Sequence, residues 1–205
     1  MTRIKKKDLE IKLEDIPPHP DPDASLEQYS TPSPIASDIL FKAFIDRRIK
    51  GKDVADLGCG TGIFALGSAY LGARSVVGVD IDPESVKIAR QKAMEWSLSE
   101  ITDFKIEDID DFKTSVDTVL MNPPFGSQKK GADLPFLEKA FEISETVYTL
   151  HNAETVRFLE KFIKERGHSL FWEKRYKFEM DNLFKFHEKE KESFEIISFG
   201  INVKR

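Results

Sequence analysis

The feature that most constrains this chain is an alternation that begins at Lys52. Short apolar runs recur, the first three ending at a glycine or an acid and most followed by a segment with helical spacing. The first run, residues 53–57, leads through Gly58-Cys59-Gly60-Thr61-Gly62 into a helix expected over 63–71 and closed by Gly72. The second, residues 75–79, ends at Asp80. Asp82-Pro83-Glu84 then supplies an N-cap, a proline for the first turn and an acid for the positive helix end. A third run, 103–107, ends at Asp108, and a fourth spans 118–121. Asp133 is read as the cap of the next helix, 146–150 as a fifth strand, and Asn152 as the cap of a helix that ends near Arg166. Strands separated by helices pair in parallel, because a helix carries the chain back to its starting end. The expectation is an α/β fold, a mostly parallel sheet with helices on both faces. Leu170, Trp172, Tyr176, Phe178 and Met180 alternate with polar residues, as do Ile197, Phe199, Ile201 and Val203. These two segments read as an antiparallel pair that adds an antiparallel strand at one edge.

Upstream of the alternation the chain is less regular. Residues 1–15 are charged and read as a frayed or loosely docked arm. Pro17-Pro18-His19-Pro20-Asp21-Pro22 excludes a helix and favours an extended strap. Ser33 is a candidate N-cap before Pro34, with Ile35, Ile39, Leu40, Ala43 and Phe44 at helical spacing and Gly51 as the stop. The 205 residues suit a single domain, 1–205, in which 1–32 form an arm and strap. One cysteine excludes an internal disulfide and a cysteine metal cage, and the four histidines lack ligand spacing, so no metal is expected. No apolar run is long enough for a bilayer and no signal peptide opens the chain, which points to a cytoplasmic protein. The net charge of −5 gives no overall attraction for nucleic acid and leaves only local patches.

Two stretches carry chemistry. A glycine-rich turn between strand and helix lets the backbone approach a ligand and turns N–H groups toward it. The spacing here is GxGxG rather than the GxGxxG of dinucleotide sites. An acid at the next strand end, Asp80, suits ribose hydroxyls, and Asp108 suits an adenine edge. The second stretch is Asn122-Pro123-Pro124-Phe125, at the end of the fourth strand. The prolines bring carbonyl acceptors and no N–H, the amide adds another acceptor, and the aromatic ring offers a flat face. Such a set can hold a planar group that carries an amino nitrogen.

Val54-Ala55-Asp56-Leu57-Gly58-Cys59-Gly60-Thr61-Gly62, then Gly78-Val79-Asp80, then the NPPF stretch resembles the class I S-adenosylmethionine-dependent methyltransferases. With Glu27-Gln28-Tyr29, Thr31, Tyr176-Lys177-Phe178 and Lys185-Phe186-His187 added, residues 26–203 resemble the methyltransferase-like protein 5 family. That resemblance implies a Rossmann-like, seven-stranded, mostly parallel sheet with one antiparallel strand. It implies S-adenosyl-L-methionine as cofactor, S-adenosyl-L-homocysteine as product, and transfer to N6 of an adenine in small-subunit ribosomal RNA. Carried over residue by residue, cofactor binding falls to Gln28, Tyr29, Thr31, Asp56, Gly58, Gly60, Thr61, Gly62, Ile63, Asp80, Ile81, Asp108, Ile109 and Asn122. The catalytic clamp falls to Asn122, Pro123, Pro124 and Phe125, and the strap becomes a cover for the cofactor. An exocyclic amine needs placement more than deprotonation, so the clamp needs no general base. Lys129, Lys130, Lys174, Arg175 and Lys185 form a candidate basic path for RNA phosphates. The family also implies a small zinc-binding activator protein at the third-strand edge. An N5-glutamine methyltransferase acting on a protein side-chain amide is the alternative, since the same clamp suits any planar amide. That class usually carries Tyr where this chain has Phe125, and an extra N-terminal helical domain.

Overall fold

The computed structural model describes residues 4–23, 27–28, 30–126, 131–179 and 193–204. Among these, seven strands form one sheet in the order β3-β2-β1-β4-β5-β7-β6. The strands are β1 (Asp53–Leu57), β2 (Ser75–Asp80), β3 (Thr102–Ile106), β4 (Thr118–Met121), β5 (Thr146–Asn152), β6 (Ser169–Glu179) and β7 (Ser193–Asn202). The helices are α1 (Lys6–Glu14), α2 (Ser33–Ile45), α3 (Ile63–Tyr70), α4 (Pro83–Glu95), α5 (Leu134–Ile143) and α6 (Val156–Glu165), the last preceded by a 3-10 turn, Ala153–Thr155. The first five strands pair in parallel, and β7 runs antiparallel to both neighbours, β5 and β6. The antiparallel strand therefore lies inside the sheet rather than at its edge; β6 is the edge strand on that side.

Side-chain alternation along the strands sorts the core into two layers. Val54, Leu120, Tyr148 and Leu150 join one layer, against α1, α2, α3 and α4. Ala55, Leu57, Val119, Met121 and Val147 join the other, with Leu137 and Phe141 of α5 and Leu159 and Ile163 of α6. Both faces of the central strands are thus buried, which is why they read as continuous apolar runs.

The N-terminal residues depart from expectation. Residues 6–14 are not a frayed arm but the helix α1, with Leu9 and Leu13 fully buried in the first layer. Two leucines four apart lie on one helical face, and their burial outweighs a sequence that is otherwise nearly all charge. Asp15 and Lys92 tie the end of α1 to α4 at 3.4 Å, and the indole N–H of Trp96 donates to Asp15 at 3.0 Å. Two caps also differ. Pro32, not Ser33, precedes the first turn of α2. Asp133 makes no side-chain cap on α5; its carboxylate pairs with the buried His151 Nδ1 at 2.9 Å. Asp82 behaves as read, accepting the Glu84 and Ser85 N–H groups at the start of α4.

Candidate active site

Parallel strands bring their carboxyl ends to one rim of the sheet, and the loops there define a cavity of about 650 Å³. That volume suits a small-molecule ligand. The β1–α3 loop forms its floor. Gly58, Gly60 and Gly62 all have positive φ, a conformation that costs a side-chain-bearing residue strain. Gly58 and Cys59 donate their N–H groups to the Val79 carbonyl at 2.8 and 3.0 Å, which anchors the loop to β2. A Cβ on Gly62 would lie 3.1 Å from Ala89 Cβ and 3.3 Å from Phe104, so its lack of a side chain lets the loop seat on α4 and β3.

A buried carboxylate, Asp56, and a half-buried one, Asp80, face this floor. Gly62 precedes α3 and has no side chain to cap it; Asp56, from the end of β1, accepts the Ala65 N–H in its place at 2.8 Å. Burial pushes the Asp56 carboxyl up to about 7, the Ala65 hydrogen bond opposes this, and the nearby Asp80 charge adds to it. Asp80 accepts the Gly60 N–H at 2.7 Å and the Asp82 N–H at 3.0 Å. Burial raises its pKa as well, against those two N–H bonds. A cavity with two acids held short of free ionisation is suited to a cationic or hydroxyl-bearing ligand. Cys59 is a packing residue whose thiol is pushed up by burial.

Of the residues assigned to the cofactor, Gln28, Thr31, Asp56, Gly58, Gly60, Thr61, Ile63, Asp80, Ile81, Asp108, Ile109 and Asn122 all line the cavity. Gly62 sits behind it, and Tyr29 lies outside the described residues. Asp108 is exposed and its carboxylate accepts the Asp110 N–H of its own turn at 2.9 Å.

The NPPF stretch forms the adjoining wall. Asn122 Nδ2 donates to Thr31 Oγ1 at 3.1 Å. Its Oδ1 is buried and has no hydrogen-bond partner among the described residues. A buried acceptor left unpaired is costly, and such groups mark sites completed by a ligand. Pro124 lines the cavity with Asn122. Pro123 is buried behind the wall, and Phe125 packs, half-buried, against the first core layer. The Phe125 N–H donates to the Glu27 carboxylate at 2.7 Å, so the strap reaches the motif directly.

Several contributors lay outside the sequence reading. Leu13, Ile16 and Pro18 line the cavity from the N-terminal side, and Phe136 lines it from α5. The Leu9, Leu13, Ile16 spacing carried the first signal; Phe136 looked like one more helix residue. The strap is pinned by His19, whose Nδ1 accepts the Asp21 N–H at 3.1 Å and whose Nε2 sits 3.0 Å from the Asp82 carboxylate. The basic path is only partly visible. Lys174 pairs with Asp38 and lies over the Tyr176 ring, and Arg175 pairs with Glu195 at 3.4 Å. Lys129, Lys130 and Lys185 lie outside the described residues. Among the described residues no helix is long and apolar enough to cross a membrane.

The sheet order, the glycine loop after β1 and the acids that close β2 and follow β3 define a class I S-adenosylmethionine-dependent methyltransferase. Residues 33–147 match the methyltransferase small domain family. The rRNA N(6)-adenosine-methyltransferase Mettl5 of Drosophila melanogaster is 34% identical over 96% of this chain and 95% of its own length. The crystal structure of PH1948 from Pyrococcus horikoshii is 40% identical, covers all of both chains and superposes with a TM-score of 0.91. A protein N5-glutamine methyltransferase assignment, MJ0928 of Methanocaldococcus jannaschii, is 36% identical but over only 42% of this chain and 43% of its own. The chain belongs to the methyltransferase small domain family and, within it, to the methyltransferase-like protein 5 group.

Proposed function

We propose that this enzyme methylates N6 of an adenine in structured RNA, with small-subunit ribosomal RNA as the substrate and the cytoplasm as its place of work. The observation that carries the reading is the buried Oδ1 of Asn122 on the cavity wall, which has no partner among the described residues. Thr31 holds the amide nitrogen, so the oxygen presents a fixed acceptor to an incoming N–H. The cavity fits S-adenosylmethionine chemically: the glycine loop offers close backbone, and Asp56 and Asp80 supply acceptors for an ammonium and for ribose hydroxyls. When bound, that cofactor supplies a methyl group on a sulfonium and is released as S-adenosylhomocysteine.

The protein's own contribution is placement. Asn122 Oδ1 and the Pro123 carbonyl accept the two N–H bonds of the exocyclic amine and aim its lone pair toward the cofactor cavity. Pro124 supplies an apolar wall, and Phe125 the ring on which an unpaired or flipped-out base stacks. Lys174, Arg175 and the lysines at 129, 130 and 185 guide the phosphates. Mettl5 of Drosophila melanogaster, named for rRNA N6-adenosine methylation, supports this acceptor over nearly the whole chain. A small zinc-binding activator belongs to the same reading: β3 is an edge strand, and an edge offers unpaired backbone groups to an added strand.

The test is a methyl-transfer assay with labelled cofactor and a mixture of small-subunit RNA and total protein from a strain lacking the gene. RNA label that falls about 100- to 1,000-fold in Asn122→Ala, well beyond any loss of cofactor affinity, is the expected result. Label in protein instead of RNA overturns the acceptor. Equal labelling by wild type and Asn122→Ala overturns the clamp.

A further inference from the structure

We propose that Glu27 is a positioning residue for the acceptor clamp, and that the strap carrying it couples the cofactor cavity to the acceptor site. The inference rests on the clamp assigned above and adds the residue that shapes it.

Three observations carry it. The Glu27 carboxylate accepts the Phe125 N–H at 2.7 Å, across 98 positions of sequence. This N–H follows two residues that have none, so it is the first backbone donor after the Asn122 acceptor. Fixing it fixes the turn of Asn122-Pro123-Pro124-Phe125 as a unit. Glu27 also holds a φ of 52°, in the left-handed region that a glutamate adopts only at the cost of strain. Strain of this kind is kept where the surroundings over-determine it, and it gathers at functional sites. Finally, Thr31, four residues on, holds Asn122 Nδ2. One short segment thus grips the clamp at both ends, Asn122 and Phe125.

The same segment is cavity wall. Glu27, Gln28, Ser30 and Thr31 all line the cofactor cavity, and Gln28 is tied back to the strap by accepting the Asp23 N–H at 2.8 Å. A ligand that packs against Gln28 and Thr31 therefore presses on the residues that orient the acceptor groups. Filling the cofactor cavity and shaping the acceptor site become one event, which favours transfer only when both are in place. A carboxylate is suited to this work because its hydrogen bond to a backbone N–H is charge-assisted and short.

The test uses the full-length protein and the labelled mixture of RNA and protein described above. Glu27→Gln keeps an oxygen in the same place; Glu27→Ala removes it; Glu27→Asp keeps the charge but withdraws the oxygen by one methylene. Glu27→Ala and Glu27→Asp are expected to lose about 10- to 100-fold in kcat, the range set by one hydrogen bond to a charged group. Their cofactor affinity, read by calorimetry with S-adenosylhomocysteine, falls by less than kcat does, because Glu27 belongs to the cavity wall but spends its carboxylate on the Phe125 N–H. Glu27→Gln retains at least about a third of wild-type kcat, since a neutral acceptor preserves most of the geometry. A kcat that falls only in step with cofactor affinity or with the melting temperature overturns the proposal. So does Glu27→Gln faring no better than Glu27→Ala, or Glu27→Ala at wild-type kcat. Which acceptor takes the label decides the function reading; the ratio of rates on that acceptor decides the role of Glu27.

Discussion

Replacing Asp56 with Asn isolates the electrostatics of the cavity without any substrate. Asp56 is 1% exposed, and its carboxyl is pushed from 3.8 up to about 7, chiefly by burial. The shift is about three pK units at about 1.4 kcal/mol each, so ionising this group in the empty folded protein costs about 4 kcal/mol. The unfolded chain releases the proton near pH 3.8 and the folded chain near 7. Stability linked to Asp56 is therefore full below the lower value, declines as pH rises, and is lost above the upper one. Asn cannot ionise, yet it keeps a carbonyl oxygen for the Ala65 N–H. Urea unfolding of both proteins without cofactor, from pH 4 to pH 8, should show the variant gaining on wild type by up to about 4 kcal/mol across that range. Taking the difference cancels the opposing trend of carboxylates with lowered pKa values, such as Asp38 and Asp53. A difference that stays flat between pH 4 and pH 8 would refute the reasoning. The same ionisation governs cationic ligands: S-adenosylhomocysteine affinity should rise up to about tenfold per pH unit below 7 in wild type and lose that slope in Asp56→Asn.

Two further substitutions address packing. Leu13→Ala, on α1, removes a side chain that is 1% exposed and also lines the cavity. It should cost about 2–5 kcal/mol in urea unfolding and weaken cofactor binding by calorimetry, whereas a loosely docked arm would give neither. Gly78→Ala, in β2, places a Cβ 2.6 Å from Phe104 and 3.0 Å from the Cys59 sulfur, with no flexible side-chain end to yield. A loss of about 1–3 kcal/mol in thermal unfolding is expected, and an unchanged melting temperature would show that the loop floor has slack.

The strands and the glycine loop were legible because each is written locally. Residues 118–121 are apolar, bounded by polar sequence, and form β4 over those same residues. Asp82 and Pro83 announce α4 by chemistry that acts within one turn. What was not legible depends on partners far along the chain. Leu9 and Leu13 look like minor apolar residues in a charged run until α2 and α3 are placed beside them. Asp133 has the composition of a cap, but His151, 18 positions on, takes its carboxylate. Phe125 reads as an open stacking face; its ring is half-buried against the core and keeps only part of that face accessible, while Phe64 and Phe136 are aromatics that line the cavity. The placement of β7 is of the same kind: alternation reveals an antiparallel pair but not which member lies inside the sheet.

That placement bears on how the protein reaches its native state. The five parallel strands are joined through α3, α4 and α5, except that β3 passes to β4 without a helix, and each can add to the sheet in chain order. β6 cannot follow them, because the strand it hydrogen-bonds is β7, which also carries the bonds to β5. Until the antiparallel β6–β7 pair docks through β7, β5 is an open edge. A chain in which this docking lags displays an unpaired edge at β5, a form prone to join another chain. Dilution, which slows encounters between chains but not a strand finding its own slot, should raise the refolding yield.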